Sequence, residues 1–289
     1  MAQKDLNEKL LEDYNDVFAD IFNTLLFKKN VLKEENLEPG PIESIYKTDQ
    51  ENSAEQRRDI LKKYRENELC LCSFGIENQT TADAAMPVRI MGYDYGTYKG
   101  MLTNSITIHP VTSIVLNFGD TRWKNAKSLH EMLQFPKEFK PYIENYKIRV
   151  YDIAFLSDNV IEKFSSDFKI IANFFKEKRL GKNTLFEDAE VKLSHAGAVL
   201  DFLSIFTKDN RYREAYTKNV QELEAKGETI NMCQIAQGLI DKGLSQGLSA
   251  CVTALKMTGA SFEKTFELIT KTEAYADATP EQVKQYYER

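Results

Sequence analysis

The sequence has few of the side chains that build zinc sites. Its 289 residues include 4 cysteines and 3 histidines. Cys70 and Cys72 lie two positions apart in an apolar run, with no histidine close to them in sequence. A structural zinc site needs four such ligands at suitable spacing. Buried free thiols are therefore a better interpretation of this pair than a zinc site.

Long apolar segments are lacking as well. The first residues, MAQKDLNEKLLEDYND, are polar and contain no apolar leader segment. No apolar run approaches the roughly 20 residues that a membrane span requires. We therefore expect a cytoplasmic, reduced protein without a membrane partner.

Several catalytic motifs are absent. The sequence contains no glycine-rich phosphate loop, no G-x-S-x-G and no H-E-x-x-H. His109, His130 and His195 are scattered along the chain. We expect surface or structural roles for these histidines.

An overall positive charge is also missing. The formal net charge is -6, with 38 basic and 44 acidic residues. This balance argues against a protein that coats DNA nonspecifically, but it permits a local basic groove. Basic runs occur in RRDILKK, WKNAK and KEKRLGK. Each run taken alone is more typical of a solvated surface.

The hydrophobic fraction of 42% is sufficient for one large domain, or for one domain with an appendage. Hydrophobic periodicity predicts a helix over about residues 6–27, strands over 59–64 and 69–77, and a helix from Thr81 onward with Pro87 in its first turn. HPVTSIVLNFGD and YKIRVYDIAFLS follow as β-rich segments, with a partly helical insertion between them. Helices dominate from Ser157. We predict an α/β fold: a mixed-sheet core over residues 1–160, flanked by helices, and a helical C-terminal region over 161–289.

The C-terminal region carries glycines in a helical pattern. Gly238, Gly243 and Gly247 each cost a helix roughly 1 kcal/mol relative to alanine, which close helix packing or a hinge would explain. Thr279 and Pro280 are typical of the N-cap and first position of a last short helix.

The stretch LCLCSFGIENQTT, residues 69–81, suggests a functional site. Alternate residues of a strand share a face, so Glu77 and Gln79 should point to the same side of the predicted sheet. Asp59 begins the neighbouring predicted strand, and Asp59 and Glu77 could then reach one divalent ion. Mg²⁺ prefers such oxygen ligands, and a bound metal activates water and offsets charge on a phosphodiester. Ordinary polarity at a strand end remains the alternative.

The first predicted helix carries an acidic stripe of Asp13, Asp16 and Asp20 beside its apolar face. Taken alone, such a stripe is more typical of a solvated helix edge.

Three segments, RRDI, FGIENQTTADAAMPVRIMGYDYGTY and NDVFADIFNTLLF, resemble the Rpn family of recombination-promoting nucleases, also described as putative transposases. This family belongs to the PD-(D/E)xK nuclease superfamily. The string GIENQT followed by MPVRIMGYD is the most distinctive part, and the resemblance covers roughly residues 10–160. It implies a restriction-endonuclease-like core and Mg²⁺- or Mn²⁺-dependent cleavage of DNA.

The resemblance also implies residue roles. Asp59 matches the strand-end acid of the family and Glu77 matches the acid of its E-x-Q motif. These two residues would hold the metal, with Asp16 or Asp20 from the first helix as a further metal contact. Gln79 would orient the attacking water. The implied catalytic residues are thus Asp59, Glu77 and Gln79.

Two positions depart from the superfamily pattern. Arg58, rather than proline, precedes Asp59, and Gln79 stands where the wider superfamily has lysine. A glutamine can donate a hydrogen bond to water or phosphate, but it carries no charge and takes up no proton.

Basic residues near the predicted site are candidates for DNA binding. Arg89 could clamp a phosphate with two hydrogen bonds, or it could form an ion pair with an acid such as Glu77. The full set of candidates is Arg57, Arg58, Lys62, Lys63 and Arg89.

Three hypotheses follow. The first is a metal-dependent DNA endonuclease that works in recombination, mobile-element activity or defence, with DNA as its partner and a homodimer as its assembly. The second is a weak or inactive nuclease-like protein that binds DNA or a protein partner. The third assigns an assembly role to the glycine-spaced C-terminal helices.

Overall fold

A computed structural model of the protein describes residues 10–47, 53–182, 192–216, 218–228 and 230–288. The chain divides into two compact units, Met1–Leu185 and Phe186–Arg289. The domain boundary proposed from the sequence, between residues 160 and 161, stays a prediction. The division into units falls later in the chain.

The first unit is built on a mixed sheet of five strands in the order β1-β4-β5-β6-β7. Strand β4 is antiparallel to β1 and to β5, whereas β5, β6 and β7 run parallel. Strands β2 and β3 form a separate antiparallel hairpin. The bounds are Leu37–Pro39 (β1), Glu43–Lys47 (β2), Ser53–Arg57 (β3), Ile60–Glu66 (β4), Leu69–Gln79 (β5), Val111–Asn117 (β6) and Arg149–Asp152 (β7). The predicted α/β class with a mixed sheet is confirmed.

The helices of the first unit cover the two faces of this sheet. They are α1 (Asn15–Ile21), α2 (Met86–Thr103), α3 (Leu129–Met132), α4 (Asp158–Ile161) and α5 (Phe168–Leu180). Helix α2 connects the parallel strands β5 and β6, as a crossover must, and Pro87 lies in its first turn as predicted. On one face Phe22 packs edge-on against Phe74 of β5. On the other face Met86 and Ile90 pack with Val115 of β6.

The predicted helix over residues 6–27 is shorter and interrupted. Residues 6–9 lie outside the described part of the chain. Leu11–Asp13 form a 3-10 turn, and Tyr14 is extended (φ −73°, ψ 134°) before α1 begins. A π-helical segment, Phe22–Phe27, continues α1. The break has a structural partner, because Lys62 Nζ of β4 lies 2.6 Å from the backbone oxygen of Asp13.

The second unit is mainly helical. Its elements are β8 (Lys192–Leu193), α6 (Ala196–Thr207), α7 (Arg211–Glu214), α8 (Lys218–Ala225), β9 (Ile230–Asn231), α9 (Met232–Met257), α10 (Phe262–Thr270) and α11 (Pro280–Tyr287). Leu248, Val252, Ile269 and Val283 form the shared core of α9, α10 and α11. None of the described helices is long and apolar enough to cross a membrane.

Two predictions about the C-terminal segment are tested here. All three of its glycines lie inside α9, and a Cβ on Gly247 would overlap with the hydroxyl of Tyr275. Close packing therefore explains Gly247. Thr279 caps α11 with a complete capping box, and Pro280 stands at its first position.

Candidate active site

Glu77 and Gln79 share one face at the end of β5, as the alternation of strand side chains predicts. Gln79 Nε2 donates to Glu77 Oε1 at 3.0 Å. Glu77 is buried. Backbone register places the pair beside β6, because Glu77 pairs with Val115 and Gln79 with Asn117.

Asp59 lies beside Glu77, at the residue that precedes β4. Ile60 pairs with Ile76 across the antiparallel ladder, which brings the preceding residue of β4 next to the following residue of β5. Asp59 Oδ2 accepts a hydrogen bond from the backbone N–H of Asn78 at 2.8 Å. The structure thus brings together Asp59, Glu77 and Gln79, the three residues assigned to catalysis from the sequence.

Glu12 is a further acid of this site that sequence reasoning missed. It is fully buried in the 3-10 turn before α1, and its Oε1 accepts from Asn78 Nδ2 at 3.1 Å. Burial, with a smaller effect from the charge of Asp59, raises the pKa of Glu12 to about 8. A continuous helix over residues 6–27 would put Glu12 on the polar face, so helical periodicity carried no signal for it. Because Tyr14 is extended, the Glu12 side chain does not follow the helical pattern and is buried instead.

The two helix acids assigned to the metal have different surroundings. Asp20 Oδ2 accepts from the backbone N–H groups of Ser165 and Ser166 at 2.9 and 2.8 Å, and from the Ser166 hydroxyl at 2.7 Å. This carboxylate therefore fixes the segment before α5. Asp16 is half-buried in the first turn of α1, and its metal role stays a prediction.

Arg89 of α2 forms an ion pair with Glu77, which was one of its two predicted roles. Its Nη2 lies 2.6 Å from Glu77 Oε1, and its Nη1 lies 2.8 Å from Asp83 Oδ2. Nη2 also donates to the hydroxyl of Tyr93 at 3.1 Å. Burial and the neighbouring Asp59 raise the pKa of Glu77, and Arg89 opposes this rise.

The basic residues beside Asp59 are mostly turned inward. Arg58 is buried and pairs with Asp94 of α2 at 2.7 Å. Lys62 is also buried, and its ammonium donates to Asn15 Oδ1 at 2.6 Å. Arg58 and Lys62 therefore hold the core together in this structure. Lys63 is half-exposed on β4, and the side chain of Arg57 lies outside the described residues.

Several oxygen atoms of the site have no hydrogen-bond donor among the residues that the structure describes. They are buried and comprise Glu12 Oε2, Glu77 Oε2 and Asn78 Oδ1. Across the described ranges, no three or more His, Cys, Asp or Glu side chains stand in a geometry that could hold a metal ion. Glu12 and Asn78 lie on one face of β5 and Glu77 on the other, with Asp59 at the strand end. Carboxylate and amide oxygens without donors are the donor set that Mg²⁺ takes, so the residues fit a hard cation by chemistry.

A mixed sheet with Asp59 and the Glu77–Gln79 pair at one edge is consistent with a nuclease-like fold. Residues 63–195 match the model of a family described as "Putative transposase, YhgA-like". Over these residues the chain is similar to that transposase-related family, and the resemblance found in the sequence is confirmed. Glu77, Gln79 and Arg89 lie inside the matched range, whereas Glu12 and Asp59 precede it.

Neither the curated proteins nor the solved structures include a match to the chain.

Proposed function

We propose that the protein is a Mg²⁺- or Mn²⁺-dependent endonuclease that hydrolyses phosphodiester bonds of DNA. The observation that carries this proposal is that Asp59 and Glu12 both accept hydrogen bonds from Asn78, the residue next to Glu77, while Glu12 and Glu77 each keep a buried oxygen without a donor among the described residues. The match of residues 63–195 to a transposase-related family supports DNA as the substrate.

Asp59 and Glu77 would hold the metal, with Glu12 as the third acid. A bound divalent cation would supply an activated water and would stabilise negative charge on the phosphodiester. Burial of acids near one another is costly unless a cation compensates them. Among the described residues, Glu77 has a cationic partner in Arg89, which it shares with Asp83, whereas Glu12 has none.

Gln79 and Arg89 would position the reactants. The Gln79 amide donates to Glu77 Oε1, and its carbonyl oxygen could accept a hydrogen bond from the attacking water. Arg89 keeps about a third of its side chain exposed, so its guanidinium could contact a phosphate while it stays near Glu77.

The test uses supercoiled plasmid with Mg²⁺, Mn²⁺ or chelator. Wild-type protein should nick the plasmid only with metal, whereas Asp59→Asn, Glu77→Gln and Glu12→Gln should not. Glu38→Gln is the matched control, because Glu38 is an exposed acid of β1 whose partner is Arg65. Metal-dependent nicking that persists in both Asp59→Asn and Glu77→Gln would refute the site.

A second candidate function, DNA or partner binding without cleavage, rests on one contact. Glu77 Oε1 is already occupied by Arg89 and Gln79, which could keep a metal out. Stable DNA binding in chelator, with no nicking under either metal, would favour this function.

We also propose a homodimer, in which two copies would cut the two strands during recombination, mobile-element activity or defence. Mass in solution with and without DNA tests this assembly. A second measurement on a chain lacking Gly227–Arg289 tests whether the C-terminal helices contribute to it.

A further inference from the structure

Two arginines lie against one phenyl ring in the first unit. The guanidinium carbon of Arg122 is 4.6 Å from the centroid of the Phe155 ring, and that of Arg179 is 4.5 Å from it. Arg122 belongs to the segment after β6, Phe155 to the segment after β7, and Arg179 to the last turn of α5. Three separate parts of the chain therefore place two positive charges at one point.

These guanidinium groups keep most of their donors free. Within the described ranges Arg122 makes no hydrogen bond or ion pair, and Arg179 uses only its Nε, which donates to the backbone oxygen of Ala154 at 2.8 Å. Contact with an aromatic face leaves the N–H groups of an arginine at its edge available for a planar, two-oxygen acceptor. No carboxylate in the described part of the chain forms an ion pair with Arg122 or Arg179.

The segment that carries Arg122 is fixed next to the candidate active site. The backbone N–H of Phe118 donates to the backbone oxygen of Gln79 at 2.7 Å. A Cβ on Gly119 would lie 2.9 Å from the backbone oxygen of Thr80. Because Gln79 and Thr80 lie two and three residues after Glu77, Arg122 belongs to the same edge of the sheet as Asp59 and Glu77.

The other end of this segment is fixed to β7. Asp152 Oδ1 accepts from the backbone N–H of Trp123 at 2.9 Å and from Asn117 Nδ2 at 2.8 Å. On the α5 side, Phe118 packs with Phe175 at a centroid distance of 5.0 Å. These contacts hold the segments that carry Arg122 and Arg179 in place. Holding the two side chains in position before binding lowers the conformational-entropy cost of binding.

We propose that Arg122 and Arg179, held by Phe155, form a clamp for a backbone phosphate of DNA beside the candidate active site. The clamp deepens the proposed function, on which its choice of ligand rests. A chain with a net charge of -6 needs such a local positive site to hold a polyanion. Arg58 differs from these two arginines, because the Asp94 carboxylate neutralises its guanidinium in the core.

The test measures binding of a short fluorescein-labelled DNA duplex by anisotropy in chelator, so that cleavage cannot contribute. The variants are Arg122→Gln, Arg122→Lys and the double variant Arg122→Gln/Arg179→Gln. Arg65→Gln is the matched control, because it removes one positive charge from the opposite end of β4, where Arg65 pairs with Glu38. Thermal unfolding of each variant checks that the fold is kept.

We expect the double variant to bind at least about tenfold more weakly than wild type. The slope of log K against log salt, between about 50 and 200 mM, should become shallower by about 1 for each arginine that contacts a phosphate. Arg122→Lys should keep the slope but lose affinity, because lysine lacks the planar fork. Arg65→Gln should bind like wild type.

Two results would overturn the clamp: equal binding by wild type and the folded Arg122→Gln variant, or no DNA binding by wild type at all. The outcome separates the clamp from the nuclease proposal. Loss of binding in the variants without any nicking by wild type supports the clamp alone. Metal-dependent nicking by wild type with unchanged binding in the variants supports the nuclease alone.

Discussion

Arg89 Nη2 lies 2.6 Å from Glu77 Oε1, so the acid at the centre of the candidate site has a cation from the overlying helix α2 as its neighbour. Asp83, six residues before Arg89, holds the other side of the guanidinium at 2.8 Å. This geometry stabilises the ionised form of an acid that burial and Asp59 would otherwise keep protonated.

Removing the guanidinium should lower stability most at high pH. In Arg89→Ala the pKa of Glu77, already raised, rises further, so the folded protein disfavours the ionised acid more strongly. Loss of the Asp83 pair lowers the free energy of unfolding already near pH 4.5. The difference from wild type should grow by a further amount of about 1–2 kcal/mol near pH 8, a figure reduced for the partial exposure of Arg89. Urea denaturation of metal-free protein across this range measures the difference. Arg65→Ala, which removes an exposed ion pair with Glu38, should change little, and an equal loss in both variants would contradict the role of Arg89.

Glu12 should make the metal-free protein less stable as pH rises. Its pKa is raised to about 8 by burial and by the charge of Asp59, so its protonated form is favoured in the folded state. The stability that protonated Glu12 contributes is fully present below the unfolded-state pKa, and it is lost as pH increases through about 8. Glu12→Gln should therefore be more stable than wild type near pH 8, by a margin on the order of a few kcal/mol, and should flatten the pH profile. Parallel profiles for variant and wild type would show that Glu12 does not titrate in this way.

Divalent cations should stabilise the folded chain through the same acids. A ligand that binds only the folded state at about 100 times its Kd adds about 2.7 kcal/mol to the unfolding free energy. The midpoint temperature of thermal unfolding of wild type should rise with Mg²⁺ or Mn²⁺ and return to its starting value with chelator. In Asp59→Asn and Glu77→Gln the rise should be lost, whereas Glu38→Gln should keep it. A metal-dependent rise of equal size in all four proteins would place the cation elsewhere.

Gly75 should tolerate no side chain. A Cβ there would lie 2.9 Å from Arg58 Cδ and closer still to Arg58 Nη1, and Arg58 is fixed by its pair with Asp94. Gly75→Ala should lower the unfolding free energy by about 2–4 kcal/mol. Gly100→Ala is the matched control, because a Cβ on Gly100 inside α2 meets nothing within 4 Å. It should stabilise the protein by up to about 1 kcal/mol, and a similar loss at both glycines would contradict this explanation.

The core of the candidate site could be predicted because it depends on local rules. Strand alternation places Glu77 and Gln79 on one face, and an antiparallel connection of two residues places Asp59 beside them. Asn67, with φ of 55°, makes that connection between β4 and β5. Both features depend only on residues that are close in sequence. The strand pattern over residues 59–79 was therefore sufficient to predict them.

The remaining site residues depend on contacts between distant segments. Glu12 is oriented by the break at Tyr14, and Lys62 of β4 binds the backbone oxygen on the N-terminal side of that break. Arg58 is buried because Asp94, on α2, accepts its hydrogen bond and because Gly75 leaves it space. Sequence periodicity contains neither relationship, so it could not distinguish these buried charges from surface charges.

The surroundings of Asp94 have a kinetic consequence. Its carboxylate accepts hydrogen bonds from Arg58, Ser113 and Tyr146, which are 36, 19 and 52 residues away in sequence. Contacts of such separation form only after the chain has closed long loops. We therefore expect these bonds to be largely absent from the folding transition state. Their contribution would then appear in a slow unfolding rate and a long lifetime of the native sheet, rather than in fast folding.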